Sequence, residues 1–130
     1  MSVRPVAAGS VKEGSYIVID DEPCRVVEVA KSKPGKHGAA KIRIVAIGIF
    51  DDVKRSLVSP VNARVEAPMV SKRKGQVIFV GDDVAQLMDL ETYATFEVPV
   101  PSELRGKLVS GVEVDYWEVM GRRRIVRVRG

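Results

Sequence analysis

Apolar and polar residues alternate with a period of two through much of this chain, which is the spacing of a half-buried β-strand. In KIRIVAIGIF (41–50) the even positions are Ile42, Ile44, Ala46 and Gly48, while the odd ones start with Lys41 and Arg43 before turning apolar. That pattern predicts a strand leaving solvent and entering a core. The runs YIVID (16–20), CRVVEVA (24–30) and RSLVS (55–59) are rich in β-branched residues, and a shorter strand is expected around 63–66. Turn-forming DDEP (20–23) and Asp51–Asp52 separate them. Five short antiparallel strands in this first half predict a small barrel, because closure removes exposed sheet edges.

EAPMVSKRKGQ (66–76) interrupts the pattern with Pro68, the basic triplet Lys72, Arg73 and Lys74, and Gly75. Proline cannot donate to a ladder and three consecutive cations prefer water, so this stretch is expected to be a solvated linker between domains 1–70 and 71–130. Beyond it the strand grammar resumes in QVIFV (76–80), VAQLMDL (84–90), TYATFEV (92–98), VEVDYWEVM (112–120) and RRIVRVR (123–129). Between the third and fourth of these lies PSELRGKL (101–108), where Ser102 is placed to cap a short helix that Gly106 would end. Five strands with a helical interruption after the third is the order of an OB-fold. The fold class is therefore all-β, as two small barrels.

Composition narrows the function. The single cysteine, Cys24, excludes an intramolecular disulfide, and with one histidine it cannot complete a zinc site. No metal or cofactor is expected. MSVRPVAAGSVKEG (1–14) lacks the continuous apolar stretch of a signal peptide, and the longest apolar run, IVAIGIF (44–50), is strand-sized. A cytoplasmic monomer without membrane association is the simplest expectation. One Asn and two Gln are compatible with a thermophilic source. The net charge of +4 is a modest pointer to polyanionic partners, so any such affinity must reside in local clusters.

The most basic stretch is KSKPGKHGAAK (31–41), with four lysines, the only histidine and no acid. Strand patterns flank it, so it reads as the tip of a long hairpin. Pro34 stiffens one limb, Gly35 and Gly38 permit positive φ, and Lys36 and His37 are thereby pushed to the apex. A phosphate-binding P-loop would need a Ser or Thr after its lysine and a following helix. GKHG satisfies the G-x-x-G of a KH domain, but that loop joins helices. A solvated turn and an RNA-inserting finger remain.

SKPGKHGAAK (32–41) resembles the modified-lysine loop of the translation initiation factor 5A family, relatives of bacterial elongation factor P. The eukaryotic pattern S-T-S-K-T-G-K-H-G-H-A-K agrees at Ser32, Lys33, Gly35, Lys36, His37, Gly38, Ala40 and Lys41, and the likeness continues through PCRVVEVA and AKIRIVAIGIF. The resemblance implies an SH3-like first barrel, an OB-fold second barrel, and a factor that is not an enzyme. Lys36 aligns with the lysine to which deoxyhypusine synthase transfers an aminobutyl group from spermidine, after which hydroxylation gives hypusine. The resemblance further implies binding to the large ribosomal subunit beside peptidyl-tRNA, relief of stalling at consecutive prolines, and help in initiation and termination. Pro34 in place of Thr, Ala39 in place of His, and the absence of an acidic N-terminal extension suggest an archaeal member. The missing histidine leaves the hydroxylation step open.

Lys33, Lys41 and Arg43 are candidates for phosphate contact. In GRRRIVRVRG (121–130), Arg123, Arg127 and Arg129 are expected to share a strand face with Ile125, a basic stripe suited to RNA. The competing reading is an RNA-binding module that uses these surfaces independently of Lys36. An enzyme with Lys36 as nucleophile lacks a partnering acid or base in the loop.

Overall fold

The computed structural model describes residues 3–32 and 40–129, and these form two compact units divided between Met69 and Val70. The first contains β1 (Val3–Ala7), β2 (Tyr16–Ile19), β3 (Glu22–Ser32), β4 (Lys41–Gly48), β5 (Lys54–Pro60) and β6 (Arg64–Pro68). Strands β2-β3-β4-β5 make one antiparallel sheet, and β1 pairs with β6, which packs against β2. This is the SH3-like barrel, with one strand more than the alternation predicts. In VRPVA Pro5 and the exposed Arg4 conceal the pattern in β1.

Alternation in β4 is as the sequence predicts. Ile42, Ile44 and Ala46 are fully buried, while Lys41 and Arg43 are exposed. They join Ala8, Val11, Ile17, Ile19, Cys24, Val26 and Val65 in one core. A bulge at Val27 resets β3, so that Val26 and Val29 both face inward although three residues apart. Asp20 and Asp21 connect β2 to β3 with φ of 52° and 63°, the left-handed pair of a type I′ hairpin.

The second unit comprises β7 (Val70–Val80), β8 (Val84–Asp89), β9 (Thr95–Pro99), β10 (Glu113–Val119) and β11 (Arg122–Arg129). The sheet order is β11-β10-β7-β8-β9, and β11 returns to β9, which closes the five-stranded OB ring. Its core is Val77, Ala85, Leu87, Val98, Leu108, Val114, Tyr116 and Ile125. Between β9 and β10 the expected helix is reduced to a 3-10 turn, Ser102–Leu104. Ser102 does not cap it: Pro101 occupies the preceding position, and the serine hydroxyl turns to Glu103 Oε2 at 3.4 Å.

The linker expectation is overturned. Only Met69 separates β6 from β7, and Lys72, Arg73 and Lys74 lie within β7. Arg73 turns to the barrel side and pairs with the buried Asp89, so the triplet alternates rather than staying in water as a block. Among the described residues, no helix is long and apolar enough to cross a membrane.

Candidate functional site

The β3–β4 hairpin positions the basic segment. Its ladder runs from Cys24↔Gly48 to Ser32↔Lys41, and Val61 N–H donates to Ala40 carbonyl at 3.0 Å where β4 begins. Beneath it, a 3-10 turn at Ala8–Ser10 contacts β4 and β5, and Gly9 N–H donates to Val61 carbonyl at 3.0 Å. A Cβ on Gly9 would lie 3.0 Å from Val61 Cβ, so a side chain there would press on Val61. The base of the hairpin is thus tied to a third chain segment as well as to its own ladder.

Lys33, Pro34, Gly35, Lys36, His37 and Gly38 lie outside the described residues. Lys41 and Arg43 are described: both are exposed on the outer face of β4, two positions apart and therefore on one side. Lys31 is also exposed, opposite Ile42. At the other end of β4 the turns carry Asp20, Asp21, Asp51 and Asp52, and Ile49 N–H binds Pro23 carbonyl at 2.9 Å, joining those turns. Arg55 pairs with Asp51 at 2.8 Å, and with Val53 N–H it holds that carboxyl down at about 2. Lys31, Lys41 and Arg43 mark one end of the β3–β4 ladder, while at the other the aspartates outnumber the nearby Arg25, Lys54 and Arg55, a net charge polarity along the strand.

The expected arginine stripe is divided by a second bulge. Asp115 pairs with Arg127 but Tyr116 pairs with Ile125, so Val126 is the extra residue and the alternation reverses there. Ile125 and Val128 both face the core, which places Arg127 and Arg129 on the outer face, away from Arg123. Arg123 instead covers the Phe96 ring at 4.1 Å and pairs with Glu118 at 2.9 Å. Arg127 and Arg129 converge on Asp115, at 2.6 and 2.9 Å. Burial raises the Asp115 carboxyl, but the two guanidiniums outweigh it and leave the group below its ordinary range.

Two arrangements escaped the sequence reading. Lys72 Nζ sits 4.9 Å over the Trp117 ring, its cross-strand neighbour. Asp89 accepts from Arg73 Nε at 2.7 Å, Tyr116 hydroxyl at 2.5 Å, and the backbone N–H groups of Glu91 and Thr92 at 2.8 and 2.9 Å. The aspartate just before LET offered a local signal, an Asx-type turn, but its two long-range partners left none.

Residues 2–63 match a family described as translation initiation factor 5A-like, N-terminal, and residues 69–129 match one described as eukaryotic elongation factor 5A hypusine, DNA-binding OB fold. The chain belongs to the translation initiation factor 5A family. Translation initiation factor 5A of Korarchaeum cryptofilum is 58% identical, covering 100% of this chain and 98% of its own. That of Thermofilum pendens is 62% identical, covering 99% of both. Among solved structures, the factor from Methanococcus jannaschii matches with a TM-score of 0.89 at 47% identity, covering 98% of this chain and 96% of its own. A family protein from Naegleria fowleri matches at 0.83 and 31% identity over 100% of both chains. Translation initiation factor 5A proteins are non-enzymatic translation factors, and both domains of that family are present here.

Proposed function

We propose that this protein is a cytoplasmic, monomeric factor that binds the ribosome and positions peptidyl-tRNA through a modified Lys36. The observation that carries the reading is the family's lysine motif, KPGKHG, in the segment joining two strands whose register is fixed up to Ser32↔Lys41. Deoxyhypusine synthase adds an aminobutyl group from spermidine to Lys36, giving deoxyhypusine. The lengthened side chain carries a second amine and reaches into RNA where backbone cannot follow. No bound cofactor takes part.

The charge polarity of the first barrel supports this orientation, since its basic end faces a polyanion more favourably than its aspartate-bearing end. Lys33, Lys41 and Arg43 contact phosphates and set the register of docking, while Pro34, Gly35, His37 and Gly38 shape the segment. Peptide-bond formation remains the ribosome's chemistry. The factor supplies orientation, which matters most when proline's ring restricts attack. Relief of polyproline stalls follows, with assistance to initiation and termination by the same contact.

The test is Lys36→Arg in a reconstituted translation system reading a polyproline message. The variant keeps the charge but cannot take the aminobutyl group; it should fold normally and lose rescue. Full rescue by this variant would favour the alternative, an RNA-binding module indifferent to lysine modification.

A further inference from the structure

Charge divides the outer surface of the second barrel. On β8 and β9, Ala85, Leu87, Asp89 and Val98 point inward, so the outward positions are Val84, Gln86, Met88, Thr95, Glu97 and Pro99. None is a cation, and the adjoining β7–β8 turn carries Asp82 and Asp83. OB-folds commonly bind oligonucleotides on these second and third strands. Here that face offers a phosphate backbone no cation of its own, and Arg105 beside it is paired with Asp83 at 3.2 Å.

The β7–β10–β11 side has the opposite character. A groove of about 480 Å³ is lined by Lys72, Lys74, Asp115, Trp117, Arg127 and Arg129. Cross-strand register explains the assembly: Trp117 lies opposite Lys72, while Asp115 lies opposite both Lys74 and Arg127. The Val126 bulge places Arg127 beside Asp115. Asp115 engages Nε and Nη2 of Arg127 and Nε of Arg129, which orients both forks. The side chains remain 68% and 40% exposed, so their other N–H groups stay available. Four cations therefore line one groove with Asp115, and Glu113 lies opposite Arg129 at its edge.

We propose that this groove, rather than the β8–β9 face, binds a single-stranded RNA segment by its phosphodiester backbone. The proposal rests on the ribosome-binding reading for its setting and names the surface that reading leaves unassigned. Arg127 and Arg129 take adjacent phosphates with their free N–H groups, and Lys72 and Lys74 take phosphates on the opposite wall. The Trp117 ring forms part of the groove and gives an entering base an aromatic surface, Lys72 moving from the ring to phosphate. This second feature favours RNA over an acidic protein.

Trp117 is the only tryptophan, so its emission reports directly on the groove. Titrating the full unmodified chain with an oligouridylate of about 12 nucleotides should quench or shift that emission. Affinity should fall with salt, with a slope of about −0.7 per neutralised phosphate. Followed by anisotropy of labelled RNA, Lys72→Gln with Lys74→Gln should weaken binding by about tenfold and reduce the slope by about 1.4. Arg127→Lys, which keeps the charge and loses the fork, should weaken it less. Gln86→Glu on the β8–β9 face should leave groove binding unchanged. RNA binding with constant Trp117 emission, no RNA binding at low salt, or loss of binding only in Gln86→Glu would overturn the proposal. An oligoglutamate that matched the RNA in affinity and emission change would overturn it in favour of a protein partner. Polyproline rescue is measured separately, so failure of the groove and failure of the Lys36 reading are distinct results.

Discussion

The Tyr116 hydroxyl donates to Asp89 Oδ2 at 2.5 Å inside the second barrel, linking residues 27 positions apart. Arg73 meets the same carboxylate from β7, and the Asp89 side chain also closes the β8–β9 turn through two backbone N–H groups. One side chain thereby ties β7, β8, β10 and a turn together.

Asp89→Ala should be among the most damaging single changes in this unit. It strands the Arg73 guanidinium and the Tyr116 hydroxyl and leaves two turn N–H groups without their acceptor. The expected loss is about 3 kcal/mol, reduced from the fully buried case because Arg73 is partly solvated. Chemical denaturation followed by Trp117 emission measures it. A loss below about 1 kcal/mol would show that the network contributes little beyond packing.

The same carboxylate predicts acid sensitivity. Arg73, assisted by Tyr116 and the turn N–H groups, holds Asp89 far below its ordinary value of 3.8. With the folded pKa depressed, the unfolded chain binds the proton first, so the stabilisation is complete above about pH 4 and falls progressively as pH drops below it. Denaturant midpoints measured between neutral and strongly acidic pH should decline steeply, and Asp89→Asn should flatten that decline. An unchanged slope in the variant would assign the acid loss to other carboxylates.

Arg123 should act in folding rather than in RNA contact. Its guanidinium covers Phe96 and pairs with Glu118, and the Val126 bulge separates it from Arg127 and Arg129. Arg123→Ala is expected to cost about 1 kcal/mol and leave RNA affinity unchanged. Loss of RNA affinity without loss of stability would reverse the assignment.

Cys24 should report on the first barrel. It is fully buried, burial raises its thiol pKa, and it donates to Glu22 carbonyl at 3.3 Å. A thiol reagent should therefore modify the native protein slowly, at a rate set by opening of the first unit. Modification as fast as that of an unfolded control would disprove the burial.

The legible parts of the sequence were the local ones. Period-two spacing identified β4 from Ile42, Ile44 and Ala46, and the OB order emerged from strand count and the interruption at 101–108. The lysine motif was legible because its specificity lies in consecutive residues. The illegible parts depended on distant partners or backbone irregularity. Lys72, Arg73 and Lys74 read as linker because the carboxylate that draws Arg73 inward lies 16 residues away. The bulges at Val27 and Val126 reverse the face of the side chains that follow, whereas strict alternation would put Arg127 and Arg129 on the face of Arg123 and Ile125. Val–Val and Ile–Val dipeptides carry no mark that would show where such a shift occurs.

The Ser32↔Lys41 pairing sets a ruler for the lysine-bearing segment. Slipping β4 by one residue would carry Ile42, Ile44 and Ala46 out into solvent, so the core forbids any trade of length between ladder and loop. Eight residues, 33–40, must then bridge two anchors that cannot move along their strands. A single deletion between those anchors would therefore be taken up there, while the ladder and the core beneath it kept their pairing.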